Sequence, residues 1–120
     1  MNMHYKINLP DNFPKELIDT SKSLENIGVL ELAWNKENSI KVIDFLNKND
    51  YLILGGDVYK LIDENLNSTY DSWYFNKDKF SSNREMINAS MKTAKEYINK
   101  YSEMNGQEYY YSIVFIKSIV

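Results

Sequence analysis

The stretch that most constrains the fold of this chain is residues 51–76, YLILGGDVYKLIDENLNSTYDSWYFN. It consists of short runs rich in β-branched and aromatic residues, separated by Gly, Asp and Asn. Runs of this kind are typical of antiparallel strands, whose alternate side chains point to opposite faces of a sheet. The polar turn at 63–65 separates two such runs, 57–62 and 66–75, so we predict that they pair as a hairpin.

The glycine pair Gly55-Gly56 interrupts this stretch and admits two structures. A two-residue loop would fold 51–54 back onto 57–60 as a separate hairpin. Alternatively, the glycines form a bulge or a point of close backbone approach within one long strand. We favour the bulge, because 63–65 already supplies the next turn. The pair matches neither a G-x-G-x-x-G nor a Walker pattern, so a phosphate-binding loop is not expected here.

Residues outside this stretch recur with the periods of further helices and strands. Helical spacing is present over 12–27, from Asn38 or Ser39 to 46, and after the capping box at 82–85, whereas 29–34 and 109–120 have strand character. The last run is aromatic or β-branched nearly throughout, so we expect both of its faces to be covered. This order predicts a single α+β domain over residues 1–120. We expect an antiparallel sheet built from 51–54, 57–62, 66–75 and 109–117, with about three helices packed mainly on one face.

The bulk composition narrows the class of protein. A chain of 120 residues can bury one ordinary core. It has no apolar run of about 18 residues that could cross a bilayer, and residues 1–6 have no apolar signal core. With no cysteine, the chain has no disulfide framework, no thiolate nucleophile and no cysteine zinc site. We therefore expect a cytoplasmic protein that does not associate with membranes.

The charge is unevenly distributed along the chain. The net charge of −3 argues against nucleic acid as the main partner. Residues 49–76 hold five carboxylates and one lysine, a net charge of −4, while the remainder holds 13 basic and 12 acidic residues, a net charge of +1. A local acidic field of this kind can steer a basic partner. It is equally compatible with a solvated sheet face that the carboxylates keep soluble.

Two sets of residues could carry chemistry, and neither makes a strong case. His4 is the only histidine and has no recognisable nucleophile or carboxylate partner near it, so we do not expect a general base. Asp57 and Asp71 would approach each other at the open end of the predicted hairpin and could share a proton or bind a metal. Alternatively, each accepts backbone N–H bonds. No further ligand or nucleophile converges on them by sequence, so we expect no catalytic, cofactor or metal site.

The motifs of the central stretch resemble those of the Imm40 group, a family of immunity proteins from bacterial polymorphic toxin systems. The matching residues are LGGDVY at 54–59 and YDSWY at 70–74. The flanks have a similar layout, with ELAW at 31–34 before one helix and another helix over 90–101. The resemblance covers the chain from about Gly28 onward, and the two motifs occur together, in order and at suitable spacing.

The resemblance implies a protein that binds and neutralises a cognate toxin and that is not an enzyme. Immunity proteins diverge where they touch their toxins, so we expect the shared motif residues to form the scaffold: Gly55, Gly56, Asp57, Asp71 and Trp73. The local acidity and the interleaved tyrosines then suggest which side chains meet a basic face of the toxin: Tyr59, Asp63, Glu64 and Tyr74.

Two other functions remain open on the sequence alone. A small-molecule or peptide-binding module would place a pocket beside the Gly-Gly-Asp segment at 55–57. A hydrolase would instead rely on the carboxylates of Asp57 and Asp71.

Overall fold

The computed structural model describes residues 9–25, 31–79 and 82–117, and its three helices are separated by pairs of strands. The elements are α1 (Lys15–Asp19), β1 (Lys22–Ser23), β2 (Leu32–Asn35), α2 (Lys36–Lys48), β3 (Tyr51–Ile62), β4 (Asn65–Tyr74), a 3₁₀ turn (Lys77–Lys79), α3 (Asn83–Asn105) and β5 (Tyr109–Lys117). The strands form one antiparallel sheet in the order β1-β2-β5-β3-β4. The predicted α+β class is confirmed. Within the described residues, no helix has the length and apolar character needed to span a membrane.

The main core lies between the sheet and the helices. Its buried members from the sheet include Trp34, Ile53, Val58, Trp73, Tyr111 and Ile113, and those from α2 and α3 include Val42, Ile43, Leu46, Ala94 and Ile98. The short α1 joins the same core through Leu17, whose carbonyl oxygen accepts a hydrogen bond from Trp34 Nε1 at 2.5 Å. The expectation that the helices pack mainly on one face is therefore confirmed.

The glycine pair lies inside one continuous strand, as the bulge interpretation predicts. Along β3 the register against β5 shifts between Ile53 and Gly55, so that Leu54 is the extra residue of a bulge. The turn after β3 consists of Asp63 and Glu64, with φ angles of 50° and 69°. Two successive left-handed residues are typical of the tight hairpin turn that matches the twist of paired strands. The predicted hairpin of β3 and β4 is thus confirmed.

The first helix is much shorter than predicted. It ends at Asp19, where the hydroxyls of Thr20 and Ser21 donate to the carbonyl oxygens of Glu16 and Ile18. Side chains that bond to nearby backbone in this way compete with helix continuation. The next residues form β1, which pairs with β2, so Lys22 and Ser23 are not part of the predicted helix. Residues 26–28 lie outside the described residues.

The second helix begins earlier than predicted, and the third begins where predicted. Asn35 ends β2 in an extended conformation, and its Oδ1 accepts a hydrogen bond from the Asn38 N–H at 2.9 Å. Asn35 is therefore the cap in place of Asn38 or Ser39, because the chain passes from strand to helix without a loop. At α3, the Ser82 hydroxyl accepts from the Glu85 N–H at 3.2 Å, as the capping box predicts.

The prediction that β5 is covered on both faces is correct for only half of the strand. Tyr111, Ser112 and Ile113 are buried, whereas Val114 is 38% exposed and Ile116 is 45% exposed. The reason is the cover on the face away from the helices. There, Leu24 after β1 packs with Ala33, Tyr59 and Leu66 and shields one end of the sheet, while Val114 and Ile116 lie beyond that cluster.

Candidate functional site

The glycine pair and Trp73 form a tightly packed point between β3 and β4. Gly55 has a φ of 153°, and a Cβ there would lie 2.3 Å from the Trp73 carbonyl oxygen. A Cβ on Gly56 would lie 2.1 Å from the carbonyl oxygen of Ser112 and 2.4 Å from the Trp73 ring. Real Cβ atoms do not tolerate such distances from backbone, so both positions require glycine for close approach.

The same point is fixed to α3 by aromatic and polar contacts. Trp73 is 8% exposed and stacks on Tyr97, with ring centroids 5.0 Å apart. The Tyr101 hydroxyl donates to Asp71 Oδ2 at 2.7 Å. Burial, together with the hydrogen bond to the Asp71 carboxylate, raises the pKa of Tyr101 to about 12. Four of the motif residues, the two glycines, Asp71 and Trp73, thus make structural contacts in this structure.

The structure does not bring Asp57 and Asp71 together as the hairpin model suggested. Asp71 reaches Tyr101 on the helical side of the sheet. Asp57 pairs in register with Ser72 and Ser112 and interacts electrostatically with groups on the opposite face. The cause is the length of the hairpin turn: it has two residues, so Ile62 pairs with Asn65, and Asp57 pairs with Ser72 instead of Asp71. A shared-proton or metal site built on these two carboxylates is not formed.

Asp57 instead belongs to a polar cluster on the helix-free face, which also contains Glu31, Tyr59 and the fully buried Ser112. The Asp57 N–H donates to Ser112 Oγ at 3.4 Å. Glu31 Oε1 is buried and has no hydrogen-bond partner among the described residues. Burial, and less strongly the charge of Asp57, raises the pKa of Glu31, although the nearby Ser112 hydroxyl opposes the shift.

The sequence did not indicate Glu31 as a candidate site residue, although the alternation of residues 31–35 does place it on the same face as Ala33. Its proximity to Asp57 depends on β5 lying between β2 and β3, with Ser112 in register with both Ala33 and Asp57. One sequence carries no signal for that strand order. The carboxylate whose charge acts on Glu31 in this fold is therefore Asp57, across the intervening β5.

Of the four residues expected to contact a partner, three are exposed at the surface and one is not. Asp63 and Glu64 form the exposed hairpin turn, and Tyr74 is 79% exposed. Tyr59 is 5% exposed. Its side chain packs in the cluster of Leu24, so little of it is available to a partner.

Much of the acidity of residues 49–76 stays unneutralised on the surface. Asp50 forms an ion pair with Arg84. Within the part of the chain that the structure describes, Asp57, Asp63 and Glu64 form no ion pair, and Lys60 lies 5.8 Å above the ring of Tyr109. The negative field of the hairpin is therefore open to a partner.

Tyr70 is a surface residue that the sequence reasoning missed. Register places Asp57 opposite Ser72 and Tyr59 opposite Ser68, so the three β4 residues 69–71 lie opposite Val58 alone. Tyr70 sits at the centre of this bulge with a φ of 67° and is 93% exposed. Since no glycine or asparagine marks the position, the sequence carries no local signal for a left-handed residue there.

The two alternative functions would need a pocket beside Gly56 or a site built on Asp57 and Asp71. The space beside Gly56 is occupied by Trp73 and the Ser112 carbonyl. An open groove of about 710 Å³ lies elsewhere, at the start of α2, and its lining includes Asn35 and Gln107. No cluster of three or more metal-ligating side chains occurs in 9–25, 31–79 or 82–117, and His4 lies outside those ranges.

Comparison with known proteins gives one match. The model of the family described as Immunity protein 40 matches residues 23–115, a range that contains β2 to α3 and most of β5. No curated protein and no solved structure matches the chain. The match includes both the Gly55–Trp73 packing point and the exposed hairpin. The chain therefore belongs to the Imm40 family of immunity proteins.

Proposed function

We propose that this protein neutralises a cognate toxin of a bacterial polymorphic toxin system by binding to it in the cytoplasm, without catalysis. Membership of the Imm40 family supports the general class. The observation that carries the proposal is the surface of the β3–β4 hairpin, which exposes both carboxylates that form no ion pair among the described residues and the side chains of Tyr70 and Tyr74.

The chemistry of that surface favours a basic protein partner. Asp57, Asp63 and Glu64 have no cationic partner among the described residues, so their field extends into solvent and accelerates encounter with a positive surface. Tyr74 adds a large side chain of the type that dominates binding energy once it is desolvated. Asp63, Glu64 and Tyr74 are the proposed contacts, whereas Tyr59 is buried in the cluster of Leu24.

The two alternative functions lack a comparable observation. A ligand pocket beside the glycine pair would need space that Trp73 fills. A hydrolase based on Asp57 and Asp71 would need the two carboxylates on one side of the sheet, whereas Asp71 is bound to Tyr101 on the helical side.

The proposal is tested with the toxin domain encoded in the neighbouring reading frame, which the immunity function predicts. Cells that express this domain should survive only when they also express the full chain. In vitro, titration of the toxin's activity with the purified chain should reach its end point at a stoichiometric amount, because the inhibitor acts by occupancy. Full inhibition by a small catalytic fraction of the chain, or no protection at all, would contradict the proposal.

A further inference from the structure

The bulge at the centre of β4 holds an aromatic side chain in an unfavourable backbone conformation. The φ of Tyr70 is 67°, in the left-handed region that glycine or asparagine adopts at lower cost. Such conformations persist only where the surrounding structure fixes them. Bulges of this kind re-aim a side chain relative to the regular strand.

Hydrogen bonds on both sides of Tyr70 fix this conformation. The Thr69 hydroxyl donates to the Val58 carbonyl oxygen at 2.9 Å and accepts from the Asp71 N–H at 3.1 Å. The Tyr70 N–H donates to Ser68 Oγ at 3.1 Å. Asp71 is tied in turn to Tyr101 of α3. The bulge is therefore anchored to both β3 and α3.

The Tyr70 side chain contributes little to the packing of the fold. Tyr70 is 93% exposed, the highest value among the exposed large hydrophobic side chains of the described residues. A glycine would relieve the backbone, and the ring belongs to neither hydrophobic cluster of the described residues. The position thus has a steric cost within the folded chain that packing does not offset, and the large ring is exposed to solvent on a backbone that hydrogen bonds fix.

We infer that Tyr70 is an anchor residue of the toxin interface and packs against an arginine or lysine side chain on a basic toxin surface. This inference rests on the proposed function and adds a residue and a partner chemistry to it. The cationic partner follows from charge, since Tyr70 shares its hairpin with Asp57, Asp63 and Glu64, which form no ion pair within residues 9–25, 31–79 and 82–117. A cation is attracted to the face of a tyrosine ring. Because the backbone of the bulge is already fixed, less backbone entropy is lost when Tyr70 is buried by a partner.

The test compares Tyr70→Gly with Tyr70→Phe, using the neighbouring-frame toxin domain as the binding partner. Tyr70→Gly should keep or raise the thermal midpoint, because glycine relieves the left-handed backbone. It should weaken binding by at least tenfold, mainly through faster dissociation. Tyr70→Phe keeps the ring and should bind within about threefold of the wild type. The control is Ile18→Ala, which removes an exposed apolar side chain from α1 and should leave binding unchanged.

Each outcome separates this inference from the proposed function. If the wild type binds the toxin and Tyr70→Gly binds equally well, Tyr70 is no anchor and only the inference fails. A marked fall in the thermal midpoint of Tyr70→Gly would show that the ring stabilises the fold, and the inference would again fail. If the wild type does not bind the toxin domain at all, the proposed function fails and the inference falls with it.

Discussion

Trp73 and Tyr70 lie three residues apart on the same strand and are used in opposite ways. Trp73 is 8% exposed, stacks on Tyr97 and covers a glycine, whereas Tyr70 is 93% exposed. The bulge between them is what makes this possible, because it releases residues 69–71 from the regular pairing that holds Trp73 opposite Gly56. Trp73 packs the hairpin against α3, whereas Tyr70 extends from the hairpin into solvent.

This contrast shows that two residues of one motif can have different roles. The YDSWY segment contains both the buried Trp73 and the exposed Tyr70. Substitutions in the packed part should therefore act on stability, and substitutions in the displayed part should act on binding. The following predictions test that division, beginning with the largest expected effect.

The largest effect is expected at Gly56. Replacement by Val should destabilise the fold by at least about 4 kcal/mol, because the new Cβ would overlap the Ser112 carbonyl oxygen, which is backbone and cannot move aside. Urea denaturation measures the loss. Gly106→Ala is the matched control: its φ is 106° and the nearest atom to the new Cβ is 3.6 Å away, so only the backbone term of about 1 kcal/mol applies. Equal losses in both variants would show that close packing at Gly56 is unimportant.

Trp73→Leu should have the next largest effect, a destabilisation of about 2–4 kcal/mol from the lost volume and the lost stacking on Tyr97. Combining it with Gly56→Ala sharpens the comparison. Leu at position 73 frees part of the space that the new methyl group at position 56 needs. The double variant should therefore lose less stability than the sum of the losses in the two single variants. Strict additivity in the double-mutant cycle would mean that Gly56 and Trp73 are not coupled.

The sequence predicted the parts of this fold that depend on local chemistry. Alternation predicted β3 and β4, the Ser82 capping box predicted the start of α3, and the polar triplet predicted the hairpin turn. It did not predict the early end of α1, because Thr20 and Ser21 fit a helical pattern until their hydroxyls bond to nearby carbonyl oxygens.

The site was less predictable than the fold, because it depends on strand order and register. The expected Asp57–Asp71 pair assumed a three-residue turn at 63–65, but Asn65 pairs with Ile62, and this register places Asp57 opposite Ser72. Glu31 approaches Asp57 only because β5 separates β2 from β3. Tyr70 is exposed because three residues of β4, 69–71, lie opposite the single residue Val58 of β3. No residue type at these positions indicates such a bulge.

A smaller effect on stability is expected from Glu31 on the helix-free face. Burial raises the pKa of Glu31 above its ordinary value of 4.5, so the folded state binds the proton more tightly than the unfolded state does. The stability that this proton contributes is fully present below pH 4.5 and is lost as the pH rises through the raised pKa. Because Glu31 is partly exposed, the loss should not exceed about 1 kcal/mol.

Glu31→Gln removes that titration and should therefore be more stable than the wild type at pH 7.5, with a difference that shrinks toward pH 4.5. Urea denaturation at several pH values measures the slope. Glu37→Gln, on the exposed side of α2, provides the control. A constant difference between Glu31→Gln and wild type across this range would rule out the buried carboxylate as the cause.

The central claim, that the displayed hairpin meets a basic toxin surface, is tested most directly by reversing its charge. In the double variant Asp63→Lys with Glu64→Lys, association with the neighbouring-frame toxin domain should slow by roughly tenfold at low salt. The difference should shrink as salt rises, and dissociation should change less. The matched control reverses two exposed acids of α3, Glu96 and Glu103, and alters the net charge equally. With both variants folded by circular dichroism, slower association in the hairpin variant alone is the predicted result. Unchanged rates there, with slower association in the α3 variant, would place the toxin on the helical face and contradict the account.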